Sequence, residues 1–174
     1  MNINDYGFVR VAAATPKLKV ADCDYNVSEI KSMIDEAEQN QVQIICFPEL
    51  CITGYTCADL FFQTALLEKA KASLLEIASF MYDKSTIVAI VGLPIRKRNS
   101  LYNVAAVISS KGIVGIVPKT YIPNEGEFYE KRWFASGKDL ENTTILIGSE
   151  NIVFGTNILF ETPFVTFGIE ICED

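Results

Sequence analysis

Apolar residues follow two rhythms along this chain: short unbroken runs, and stripes with three- and four-residue spacing. The first run, residues 8–14, is rich in β-formers and stops at Thr15-Pro16, which predicts a strand. From Asn26 the rhythm changes. Val27, Ile30, Met33, Ile34 and Ala37 fall on one side of a helix reaching about Gln39, with Asn26 as N-cap and Glu29 three residues on. Residues 42–47 are apolar apart from Gln43, the mark of a strand buried on both faces. Pro48 ends that strand, and residues 49–57 form a loop carrying Gly54.

A second stripe, formed by Ala65, Leu66, Ala70, Leu74, Ile77 and Phe80, predicts a helix over about residues 64–82. Residues 86–92 read as another buried strand, and 101–109 with 112–117 as a hairpin turned at Ser110-Lys111-Gly112. Arg96-Lys97-Arg98 lies in a predicted loop between strands. Residues 119–134 are polar and aromatic without a period, which predicts a long ordered loop. Short strands follow at 145–147, 151–154, 158–160 and 164–171. This order predicts an α/β fold, a mixed sheet with helices on one face. Two helices cover one face only, so the other needs a second sheet or another subunit.

Composition removes several classes of chemistry. The chain has 174 residues, 49% of them hydrophobic and 21% charged, which suits one domain with a sizeable core. A net charge of −7 with scattered lysines and arginines argues against nucleic acid as a partner. There is no histidine, so Ser-His-Asp, Cys-His and His-ligated metal sites are out of reach for this chain. Neither a G-x-G-x-x-G nor a G-x-x-x-x-G-K-[ST] loop occurs. The five cysteines are odd in number and lack C-x-x-C spacing; three of them lie in or beside apolar segments and should pack as small hydrophobes. With no signal-peptide pattern and no run long enough to span a membrane, the reading is cytoplasmic, with no membrane partner.

Three residues carry candidate chemistry. Glu49 follows the buried strand 42–47, where a carboxylate is costly unless paired or functional. Lys119 follows the strand 112–117, and Cys172 the strand 164–171. Ligands and catalysis in α/β sheets gather at strand ends. A thiol, a carboxylate and an amine meeting there would serve as nucleophile, proton shuttle and oxyanion stabiliser. A nearby ammonium favours the thiolate, and Lys119 would supply it against the carboxylates of Glu173 and Asp174.

The segments around these residues resemble the nitrilase (carbon–nitrogen hydrolase) superfamily. They are Phe47-Pro48-Glu49-Leu50-x-x-Thr53-Gly54-Tyr55, Pro118-Lys119-x-Tyr121-x-Pro123 and Gly168-Ile169-x-Ile171-Cys172-Glu173-Asp174. The stretch from Lys119 to Phe134, with its Glu127-Phe128-Tyr129-Glu130-x-Arg132 run, is most similar to the glutaminase domains of glutamine-dependent NAD synthetases. The resemblance covers essentially the whole chain.

It implies a four-layer α-β-β-α sandwich, a Glu49-Lys119-Cys172 triad, Glu130 as a supporting glutamate that positions Lys119, and Tyr55, Phe128 and Glu173 as substrate-binding residues. Glutamine would be the substrate, and its ammonia would amidate nicotinic acid adenine dinucleotide in NAD biosynthesis. The glutaminase step implies no cofactor; ATP and magnesium belong to a synthetase domain that these residues do not include. The resemblance also implies that the chain stops just after its nucleophile strand, short by roughly a hundred residues of its own domain. An incomplete domain should expose apolar surface and form oligomers. Two alternatives stay open: an inactive folding or assembly fragment, and another amidase of the superfamily, such as an ω-amidase or N-carbamoyl hydrolase.

Overall fold

Both helical stripes fold as helices in the computed structural model, which describes residues 3–174. Helix α1 spans Cys23–Gln39 and buries Val27, Ile30, Ile34 and Ala37 of the predicted stripe, with Met33 half-buried. It begins earlier than predicted. Asp22 is the N-cap, its carboxylate accepting from the Tyr25 N–H at 3.1 Å, so Asn26 lies inside the first turns. Asn26 is instead fully buried and ties the helix to the loops beneath it, donating to the Lys19 and Ile52 carbonyls and accepting from the Lys19 N–H. Helix α2 spans Thr64–Met81 and buries Leu66, Leu67, Ala70, Leu74 and Ile77. Among the described residues, no helix is long and apolar enough to cross a membrane.

Among the described residues the main sheet has seven strands in the order β1-β2-β3-β4-β5-β7-β6. Its strands are β1 (Val11–Ala13), β2 (Ile44–Cys46), β3 (Val88–Lys97), β4 (Ser100–Ser109), β5 (Gly112–Pro118), β6 (Thr143–Ile147) and β7 (Glu150–Phe154). β1, β2 and β3 run parallel, β3–β4 and β4–β5 are antiparallel hairpins, and β7 joins β5 in parallel. The crossovers through α1 and α2 both step the same way along the sheet, so right-handed connections put both helices on one face. The predicted one-sided mixed sheet is what forms.

Several predicted strands are shorter than their apolar runs. Residues 8–14 supply only Val11–Ala13, an edge strand with Val11 exposed. Residues 42–47 supply Ile44–Cys46, and Cys46 is exposed, so this strand is not buried on both faces throughout. Arg96 and Lys97 finish β3 instead of lying in a loop; only Arg98 enters the turn, with φ 53°. The runs at 158–160 and 164–171 reduce to β8 (Phe160–Glu161) and β9 (Thr166–Phe167), a separate two-stranded sheet.

That small sheet lies on the face opposite the helices. Phe160 and Ile171 close a cluster with Ile44, Ile90, Ala105, Val107 and Val117. Helices, main sheet and second sheet thus stack in the order α-β-β. The helix side holds a much larger continuous core, from Ile30 and Ile34 through Leu74 and Ile77 to Val91, Val104 and Phe154.

Candidate active site

Glu49 reaches the site because the chain after β2 crosses over β3. The Phe47 N–H bonds to the Ile90 carbonyl and the Ile52 N–H to the Gly92 carbonyl, laying residues 48–51 over Gly92. A side chain at 92 has no room: a Cβ there would stand 2.3 Å from the Leu50 nitrogen and 2.8 Å from the Pro48 oxygen. Leu50, directly after Glu49, adopts φ 55°, a left-handed conformation that costs a non-glycine residue roughly 1 kcal/mol and holds the turn that aims the carboxylate.

Lys119 continues β5, its N–H bonded to the Asn103 carbonyl of β4 at 2.8 Å. Its ammonium is fully buried, 2.7 Å from Glu49 Oε1 and 2.9 and 3.0 Å from the two oxygens of Glu130. Burial pulls the Lys119 pKa down, but the hydrogen bonds to Glu49 and Glu130 outweigh it, so the net shift is upward and the amine stays charged. Glu130, itself 2% exposed, sits on the short helical turn Glu130–Arg132. That turn is fastened from outside, where Arg132 makes a two-pronged pair with Asp59 at 2.7 Å and the Trp133 indole donates to the same carboxylate at 2.9 Å.

Tyr55 donates its hydroxyl to Glu130 Oε1 at 2.6 Å. Burial, then this hydrogen bond, raises the phenol well above its ordinary range.

Cys172 is exposed and is not at the end of a paired strand as predicted: β9 stops at Phe167, and the thiol sits on a turn with φ 58°. Asp174 holds this turn. Its Oδ1 accepts from the Thr120 and Tyr121 N–H groups at 2.8 and 2.7 Å, and its Oδ2 from the Ile171 N–H at 3.3 Å. The cysteine turn is thereby docked on the residues that follow Lys119. Glu173 is exposed beside Cys172, and Phe128, 37% exposed, lies in the 119–134 loop. Cys23, Cys51 and Cys57 are buried, whereas Cys46, inside the apolar run 44–47, is exposed; burial pushes the Cys23 thiol up to about 11 and the Cys51 thiol up to about 12.

Two contributors are missed by the sequence reading, Gly92 and Asn103, and Asp174 enters it only as a carboxylate opposing the thiolate, not as the residue that holds the turn. Asn103 is 1% exposed and donates through Nδ2 to Glu49 Oε1. Its signal was available, since it is the one polar residue in the apolar stretch 101–108. A cavity of about 870 Å³ lies at the other end of the sheet, lined by Gln43, Thr86 and Lys111, away from these groups.

The carbon-nitrogen hydrolase family profile matches residues 10–174. The glutamine-dependent NAD(+) synthetase of Mycobacterium tuberculosis (strain H37Rv) is 37% identical over 172 residues, covering 97% of this chain and 25% of that protein. The crystal structure of a glutamine-dependent NAD(+) synthetase from Cytophaga hutchinsonii superposes with a TM-score of 0.88 at 35% identity, over 95% of this chain and 28% of that one. An amidase from Nesterenkonia sp. shares the fold at a TM-score of 0.64 and 17% identity, over 83% of this chain and 54% of its own. The chain spans about a quarter of the length of the curated relatives it matches.

Proposed function

The chain belongs to the carbon–nitrogen hydrolase family, and from that premise we propose that it hydrolyses the side-chain amide of glutamine as the ammonia-releasing part of a glutamine-dependent NAD synthetase. The observation that carries this reading is the buried Lys119 ammonium held between Glu49 and Glu130, with the Cys172 turn docked on the residues after it. The relatives near 37% identity are NAD synthetases, while the amidase at 17% shares only the fold, which favours glutamine over other amides.

In the proposed cycle the Cys172 sulfur attacks the amide carbon while its proton passes to Glu49. The oxyanion is met by the Lys119 ammonium and the Glu173 N–H. An ammonium has three N–H bonds. If one is shared between the two Glu130 oxygens and one goes to Glu49, the third is free for the oxyanion. Glu49 then protonates the departing ammonia, leaving a γ-glutamyl thioester. Water, deprotonated by Glu49, cleaves the thioester to glutamate and restores the thiol.

In the complete protein the ammonia would amidate nicotinic acid adenine dinucleotide, with ATP and magnesium serving that second reaction. Tyr55, Phe128 and Glu173 remain the proposed substrate contacts, Tyr55 through its ring because its hydroxyl is engaged by Glu130. The same reading places the protein in the cytoplasm, where its five free thiols stay reduced. It also makes the protein a homo-oligomer, consistent with the exposed Phe8 and Val11 at the sheet edge.

The test is ammonia release from glutamine, with intact-mass analysis after treatment with an electrophilic glutamine analogue. A single glutamine-protected adduct on Cys172, and loss of hydrolysis by roughly a thousandfold or more in Cys172→Ala, are expected. Equal labelling of Cys46, or hydrolysis surviving in Cys172→Ala, would overturn the reading.

A further inference from the structure

Among the described residues, both hydrogen bonds to Glu49 end on the same oxygen. Oε1 accepts from the Lys119 ammonium and from Asn103 Nδ2, and Oε2 accepts none. The direction of the amide contact is fixed by chemistry, because an ionised carboxylate has nothing to donate and Nδ2 must face it. Asn103 Oδ1 is then left buried without a partner. The strand keeps an asparagine in an otherwise apolar run, with an unmet acceptor, at the point where β4 passes between Glu49 and Lys119. The same residue's backbone carbonyl anchors the Lys119 N–H.

We propose that Asn103 is a positioning residue that saturates Glu49 Oε1 together with Lys119, so that Oε2 is the atom that exchanges the proton with Cys172. A proton on Oε1 would point at two donors already there. The step therefore breaks the S–H bond, forms an O–H bond on Oε2, and leaves the electron pair on sulfur for attack. On the return half the Oε2 proton leaves with ammonia. Asn103 supplies a donor without a further charge, which leaves the charge balance between the two carboxylates to the Lys119 ammonium. This inference rests on the proposed cysteine chemistry but not on glutamine being its substrate.

Asn103→Leu keeps the volume and removes both polar atoms. The expected result is a fall in kcat for glutamine of about 10²-fold with KM unchanged, and a thermal midpoint equal to or above wild type because the unmet Oδ1 is gone. Unchanged kcat, or kcat lost only together with the fold, would overturn the proposal. Asn103→Asp keeps the shape but donates to Oε1 only when its own carboxyl is protonated. Its kcat relative to wild type should therefore rise as pH falls from 8 to 5, and a flat ratio would count against the role.

Alkylation of Cys172 by chloroacetamide, followed by peptide mapping, gives a readout independent of glutamine, and Asn103→Leu should slow it. If wild type ignores glutamine while labelling still depends on residue 103, the substrate assignment falls and the Asn103 role stands. If wild type hydrolyses glutamine through Cys172 and both variants match it in kcat and labelling, the Asn103 role falls alone.

Discussion

The two faces of the main sheet carry different loads. Under the helices, Ile30, Ile34, Leu74, Ile77 and Val104 are fully buried in one continuous apolar core. On the other face a small cluster around Val107, Val117 and Phe160 gives way, at the strand ends, to Lys119, Glu130 and Asn103, polar groups at most 2% exposed. One face spends its burial on apolar area, which contributes stability without geometric demands. The other spends it on charges that are tolerated only in one arrangement. Stability and chemistry are therefore separable by mutation, apart from the lysine that serves both.

Lys119→Met attacks that exception. Removing the ammonium leaves Glu49 and Glu130 facing each other without compensation, and breaking a buried pair in this way costs about 3–5 kcal/mol in urea denaturation at pH 7, along with hydrolysis. A variant as stable as wild type would show that the charges are solvated and that the two faces differ little in what they tolerate.

Ile77→Ala tests the helix side alone. A cavity at a fully buried isoleucine should cost about 2–5 kcal/mol, with kcat per folded molecule unchanged. A lower kcat at full folding would mean that the helix-side core tunes the site and that the two loads are not separable.

Asp59→Asn is the mildest probe, because it touches neither face directly and loosens the outer fastening of the Glu130 turn. The Arg132 guanidinium, followed by the Trp133 indole, holds the Asp59 carboxyl well below the usual carboxylate range. A folded-state pKa below the unfolded one means the contribution is present above roughly pH 4 and is lost as pH falls through the folded value. The gap in thermal midpoint between wild type and Asp59→Asn should be small because the pair is exposed, should shrink with added salt, and should close on acidification. A gap that persists into strong acid would show that the carboxylate's charge is not what fastens the turn.

Residue types and local periodicity determine a large part of this protein. The stripes at Val27–Ile34 and Leu66–Ile77 select their buried faces because a helix places residues three and four apart side by side. The hairpin at residues 110–112 and the absence of histidine are equally plain, and strand-end position singles out Glu49, Lys119 and Cys172 as candidates, of which the fold brings Glu49 and Lys119 within 2.7 Å. Apolar runs overstated the strands, as at 164–171, because a run reports burial and a strand needs a hydrogen-bonded neighbour.

Tertiary structure alone decided that a lysine following a strand is fully buried, that Asp174 pins the cysteine turn, and that Asn103 shares Glu49 Oε1 with Lys119. These contacts join residues 54 to 70 positions apart. Local pattern fixes which face of an element is apolar, whereas the pairing of distant polar groups follows from strand order and from how closely one chain segment can cross another, as residues 48–51 cross Gly92.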